Sequence, residues 1–229
     1  MNIIEIILNA LKLIITADPL LYEIIFLSLK VSLIALVISS IIAVIFGYIL
    51  ALKNFYLKNL CLIIINSFMG VPPVVVGLLV YFFFAHGGPM GTFKLLYTPY
   101  AMIIAQIIII FPIVCSLSHE VFYQNWIRYK DQFRSLNIPF FGIIKILTLH
   151  SYFLLITVLL SAFGRAISEV GAVMIVGGNI DHYTRVMTTA ISLETRMGNL
   201  EYAMALGIVL ILITMVIYSL VYMFNLQKR

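Results

Sequence analysis

The chain has 229 residues, 63% of them hydrophobic and only 10% charged, and its mean hydropathy is +1.15. A soluble domain carries about 25% charged residues; here the apolar residues fall in runs long enough to cross a bilayer, which excludes a soluble enzyme and defines an integral membrane protein. The formal charge of +5 is scattered between those runs, which fits the charge bias of membrane loops and not a nucleic-acid-binding surface.

The first 18 residues carry Ile3, Ile4, Ile7, Leu8 and Leu11 at helical spacing, with Glu5, Asn9 and Lys12 on the remaining face. This pattern predicts an interfacial helix that ends before Asp18-Pro19, in preference to a cleaved signal segment. Residues 19–229 then form one transmembrane domain, with five apolar runs at about 22–52, 60–85, 100–117, 152–176 and 202–224. Lys53, Lys58, Arg128, Lys130, Arg134, Lys145, Lys228 and Arg229 fall on one side of these runs. Lys12, Lys94, Arg185 and Arg196 fall on the other. The richer side should be cytoplasmic, which puts the N-terminus outside and the C-terminus inside.

Span two contains NSFMGVPPVVVG. Pro72 and Pro73 have no amide donors, so the carbonyls of Phe68 and Met69 should lose their helical partners. Asn66, Ser67 and Gly70 lie within the same few turns, and polar backbone at membrane depth is tolerated only against protein or a cavity. The stretch therefore reads as a break buried against protein, serving as a gate or a substrate-lining kink; a static packing kink is the plain alternative. Pro112 in span three is a weaker signal of the same kind.

The segment at about 120–150 is too polar to span. Phe122, Trp126, Tyr129, Phe133 and Leu136 recur at helical spacing and predict one amphipathic helix. Asn137 tolerates the left-handed conformation that ends helices, and Pro139 suits the first turn of a second helix. Ile143, Ile144, Leu147 and Leu149 carry that helix back to the membrane. A cytoplasmic helix–turn–helix of this shape suits docking of a partner, although it would also serve as a passive connector.

Span four contains GRAISEVG, with Arg165 and Glu169 at i and i+4 in an otherwise apolar run. A charge at mid-helix costs about 2.5–3.5 kcal/mol on insertion scales, and this spacing lets the two partly neutralise each other on one helix face. Ser161, Ser168 and Ala172 share that face, and Gly164 and Gly171 permit close helix approach. The pair should look into an interior or a subunit seam, either as part of a pathway or as a polar clamp. A polar loop is expected at 177–201, between this span and the fifth.

Enzyme motifs are missing. The chain has no G-x-x-x-x-G-K-[ST] phosphate loop, no H-E-x-x-H and no G-x-S-x-G. His86, His119, His150 and His182 lack metal-ligand spacing, and Cys61 and Cys115 read as small hydrophobes. A membrane subunit of a proton-translocating or redox complex, with Arg165 and Glu169 in a relay, is an alternative of another class. A relay needs a series of titratable groups across the bilayer, and only Glu169 lies deep in a span.

With these motifs in place, the layout resembles the membrane subunit of type I ABC importers for oxyanions. It is most similar to the TupB-like tungstate permeases, relatives of the molybdate and sulfate permeases. The resemblance runs from ADPLLYEIIFLSLKVSLIAL to the end and is most specific in GRAISEVGAVMIVGGNI, TRVMTTAISLET and VPPVVVGLLVYFFF. It implies an all-α permease fold in the cytoplasmic membrane of a prokaryote, with no cofactor in this chain. The implied partners are a second copy of the chain, two ATPase subunits that bind the ATP, and an extracytoplasmic binding protein. It also implies a coupling loop, in which Lys130, Asp131 and Gln132 stand where an acidic-Ala-Ala run is usual and Asn137 stands in place of glycine. Arg134 and Ser135 complete the expected contact, and Leu149-His150 replaces the usual Leu-Pro. The implied substrate is a tetrahedral dianion, tungstate first, with molybdate and sulfate as alternatives; residues 66, 72, 73, 165, 168 and 169 are the expected pathway.

Overall fold

Asp18 separates the first two helices. Its carboxylate accepts the Leu21 amide at 3.0 Å, and Pro19 occupies the first turn of the second helix, an N-cap built from the two residues that end the amphipathic pattern. In the computed structural model, which describes residues 3–226, α1 spans Ile3–Ile15 and α2 Pro19–Leu52. They are followed by α3 (Lys58–Met69), α4 (Pro73–Phe84), α5 (Pro99–Ser135), α6 (Phe140–Ile167), α7 (Gly171–Gly177), α8 (Met187–Met197) and α9 (Leu200–Leu226). Four of these, α2, α5, α6 and α9, are long and apolar enough to cross a membrane; α3 and α4 make a fifth crossing if the bent pair is one broken span. Lys228 and Arg229, counted in the charge bias, lie outside the described residues.

The tightest seam joins α2 to α5. Ala35, Ser39, Ala43, Gly47 and Ala51 recur every four residues along α2, and all are buried. In a bilayer the hydrophobic effect does not drive helices together, so small residues that let backbones touch supply the attraction through van der Waals packing. Gly47 shows how close the approach is: a Cβ there would lie 2.8 Å from the Cys115 carbonyl oxygen and 2.9 Å from the His119 nitrogen. Ile110 and Val114 of α5 and Ala162 and Ala166 of α6 complete this core.

Two expectations change in the structure. The amphipathic helix at 122–136 is not a separate element but the continuation of span three, because nothing between Leu117 and Phe122 breaks a helix and Pro112 is absorbed without ending it. It runs as one 37-residue helix into a turn, and α6 runs back for 28 residues. The turn itself is as the sequence predicts. Asn137 is left-handed at φ 49°, and its amide bonds the Arg134 carbonyl at 3.2 Å while the Ile138 amide reaches Phe133 at 3.0 Å, a Schellman closure. Pro139 stands just before the first turn of α6, as its cap. Phe122 and Phe133 are buried against Tyr48, Leu147 and Leu155, whereas Leu136 and Leu149 are exposed. Second, the stretch 177–201 is not simply a polar loop: it holds α8, whose Met187 and Ala190 are buried against Leu206 of α9. Its threonines hid an apolar face at helical spacing.

Candidate functional site

The sequence-predicted break in span two exists and is more complete than a kink, and span four carries a second break that the sequence reading did not foresee. α3 and α4 meet at 101°. Pro73 opens α4 and Pro72 caps it, where the missing amides cost least. The Phe68 carbonyl does not lose its partner: the chain tightens, and it accepts the Val71 amide at 3.3 Å, as Ser67 accepts Gly70 at 3.1 Å. The expected burial of this break within the chain is not found. Asn66, Ser67, Gly70 and Pro72 are exposed, and α3 buries no residue, since it leans principally on α5. Asn66 accepts the Ser116 hydroxyl of α5 at 2.6 Å.

The second break corrects the reading of GRAISEVG. Arg165 and Glu169 do not share a helix face, because α6 ends at Ile167 and α7 begins at Gly171. The Ser168 hydroxyl donates to the carbonyls of Gly164 (2.9 Å) and Arg165 (3.1 Å), one of the local bonds that compete with helix continuation. Glu169 then lies in the gap between the helices. The pair nevertheless forms: Arg165 Nη1 donates to Glu169 Oε2 at 2.9 Å. The other carboxylate oxygen accepts the Ala172 amide at 3.2 Å, and the Glu169 carbonyl accepts the Thr188 hydroxyl of α8 at 2.7 Å. Glu169 is thus a hub for α6, α7 and α8. Its side chain is 5% exposed, against 39% for Arg165.

The two breaks share one floor. α4, which follows the first, packs on α7, which follows the second. At their crossing a Cβ on Gly77 would lie 2.7 Å from the Ala172 Cα, so only glycine permits this approach, and Val74 lies against Gly171 one turn earlier. Ala172 is therefore buried under α4 instead of sharing a face with Ser161. The structure brings Arg165, Ser168, Glu169 and the helix opened by Pro72 and Pro73 into one neighbourhood. Asn66 stands apart on α3, and among the described residues no hydrogen bond joins it to the pair. Sequence reasoning missed Gln106. This buried amide of α5 donates to the Ala166 carbonyl at 3.2 Å and reaches Ser32 Oγ of α2 at 3.5 Å. Its signal was a lone amide in AMIIAQIIII, a polar side chain of the kind that marks bundle interiors in membranes. Thr188 was missed with α8.

At the α5–α6 tip, Asp131, Gln132, Arg134, Ser135 and Asn137 are exposed and Lys130 is half-buried. A helical bundle with two interrupted spans packed on each other, a charged hub at one break and a projecting helical hairpin defines a membrane transport component. The sequence comparisons agree and go further. The chain belongs to the family of binding-protein-dependent transport system inner membrane components, the permease subunits of ABC transporters, whose sequence profile matches residues 43–229. It is 39% identical over 213 residues to the tungstate uptake system permease protein TupB of Peptoclostridium acidaminophilum, covering 93% of each chain. It is 37% identical over 198 residues to a probable anion ABC transporter permease protein of Haloferax volcanii, covering 84% of this chain and 85% of that one. A TupB of Campylobacter jejuni is 38% identical over 160 residues, covering 70% and 67%. The chain is accordingly a multi-pass inner-membrane permease that works with an ATPase and a binding protein, not a subunit of a proton-translocating or redox complex, and no cofactor is expected in it.

Proposed function

We propose that the chain is the membrane subunit of an importer for tetrahedral oxyanions, with tungstate as the principal substrate. The observation that carries this reading is similarity over 93% of the chain to a permease named for tungstate uptake. The geometry at the second break supports it: Arg165 is half-exposed beside its carboxylate partner, so one edge of the guanidinium faces outward at the interruption of the span. Guanidinium groups recognise planar or tetrahedral oxyanions through several donors at once.

In this reading two copies face each other, and the route passes the two breaks, lined by Arg165, Ser168 and Glu169 together with Asn66 and the Pro72-Pro73 elbow. The exposure of the first break in a single chain is what a second copy or a pathway would cover. The projecting hairpin is the coupling loop, with Lys130, Asp131, Gln132, Arg134, Ser135 and Asn137 at the ATPase. The N-terminus is extracytoplasmic, the C-terminus cytoplasmic and α1 interfacial. The test is uptake of labelled tungstate, molybdate and sulfate by proteoliposomes holding the chain with its ATPase and binding protein. ATP-dependent uptake led by tungstate is expected. Uptake led by sulfate, or by an uncharged solute, overturns the substrate assignment.

A further inference from the structure

The outer surface where α2, α6 and α9 meet carries an apolar groove that the transport mechanism does not use. Leu33 and Leu36 of α2, Leu160 and Phe163 of α6, and Val216 and Ile217 of α9 are among its walls, around a volume of about 630 Å³. The Gln106 bonds place Ala166 of α6 level with Ser32 of α2, so Leu33 and Phe163 mark one end of the groove; Ile156 lies toward the other. Seven residues of helix separate Phe163 from Ile156, about 10 Å, which is most of the depth of one leaflet, itself about 15 Å.

Lys30 stands one helical turn before Leu33 on the same stripe of α2. It is exposed, and it takes part in no hydrogen bond or ion pair among the described residues. Arg165, the other cation that falls within the sequence-predicted spans, has Glu169 as its partner. Twenty residues of helix separate Lys30 from Leu50, about 30 Å, the thickness of a hydrocarbon core. Lys53 follows the far end of α2, so Lys30 lies at the opposite edge of the membrane. Helical side chains lean toward the helix N-terminus, which carries the ammonium away from the groove and out to headgroup level.

We propose that Lys30 and this groove together bind one anionic phospholipid, with its phosphate on the ammonium and one acyl chain in the groove. An unpaired cation at the headgroup level and an apolar channel of single-leaflet depth directly beneath it are the two halves of such a ligand.

The full chain, purified in mild detergent with its partner subunits, is loaded separately with phosphatidylglycerol and with phosphatidylcholine of the same acyl chains. Retained lipid is counted by native mass spectrometry, with inorganic phosphate as competitor. Phosphatidylglycerol should be retained roughly five-fold better, the effect of one lysine beside an anionic headgroup. Lys30→Gln should erase the preference and Lys30→Arg should keep it. Leu160→Trp should fill the groove and release both lipids; if that variant fails to fold, Val216→Phe fills it from the opposite wall. Equal retention of the two lipids by the unaltered chain, or a preference that survives Lys30→Gln, overturns the proposal. So does competition by inorganic phosphate alone, which would assign Lys30 to a soluble anion. Efficient cross-linking of two copies through Lys30→Cys also overturns it, because the groove would then be covered by a second chain.

Discussion

Removing one member of the Arg165–Glu169 pair should not cost the same as removing the other. Arg165→Ala leaves a carboxylate whose side chain is 5% exposed, with the Ala172 amide at 3.2 Å as its remaining partner. Breaking a buried pair costs about 3–5 kcal/mol; because the arginine end is 39% exposed, the lower end, about 3 kcal/mol, is expected here. Glu169→Ala leaves instead a guanidinium that hydrates where it stands and one uncapped amide on α7, a loss of about 1–2 kcal/mol. In the double variant no orphan charge remains, so it should lie near Glu169→Ala, with a coupling of about 3 kcal/mol, the whole cost of Arg165→Ala. Chemical unfolding in detergent and the yield of assembled complex measure this order, and uptake assays are run on the same four proteins. Recovered folding with transport still lost in the double variant supports a pathway role; recovery of both identifies a polar clamp. A Glu169→Ala variant as unstable as Arg165→Ala, or strictly additive single changes, would refute the asymmetry argued from burial.

Asn137→Gly should be neutral and Asn137→Pro disruptive, because φ is 49° there and proline is held near −65°; ATP hydrolysis should uncouple from uptake while membrane insertion stays normal, and full transport by the proline variant would make the hairpin a passive connector. Gly77→Ala should cost about 1–3 kcal/mol by overpacking against the Ala172 backbone, and an unchanged unfolding midpoint would show that α4 and α7 do not hold this contact. The protonated Nδ1 of His182 donates to the Glu23 carboxylate at 2.9 Å, and that bond, with the charges of Glu23 and Asp181, raises its pKa above the ordinary histidine value. The contact between α2 and the α7–α8 loop is therefore fully present below about pH 6.5 and is lost as pH rises through the raised value; titration by NMR should show Glu23→Gln lowering the His182 pKa, and no change would refute the link. Reporter fusions after Ala85 and near Asn199 should map outside and fusions near Trp126 inside, and an external Trp126 would reverse the orientation and remove the docking role of the hairpin.

The sequence by itself determined which segments cross, where the chain turns and which charges are costly. Those properties depend on runs and local chemistry: Asp18-Pro19 sets a cap, Asn137 adopts αL and Pro72-Pro73 forbids a continuous ladder wherever the helices pack. The same local logic failed where a competing interaction was distant. Nothing in GRAISEVG announces that the Glu169 carboxylate will cap α7 and its carbonyl will accept Thr188, 19 residues on, so periodicity kept Arg165 and Glu169 on one helix. Nor does periodicity reveal that Gly77 meets Ala172, which is what joins two breaks lying far apart in the chain. Helix existence and turn position are decided within a few residues, by backbone donors and apolar spacing. Only the tertiary structure decides which broken ends share a floor, because that depends on which small residues from distant helices allow their backbones to touch.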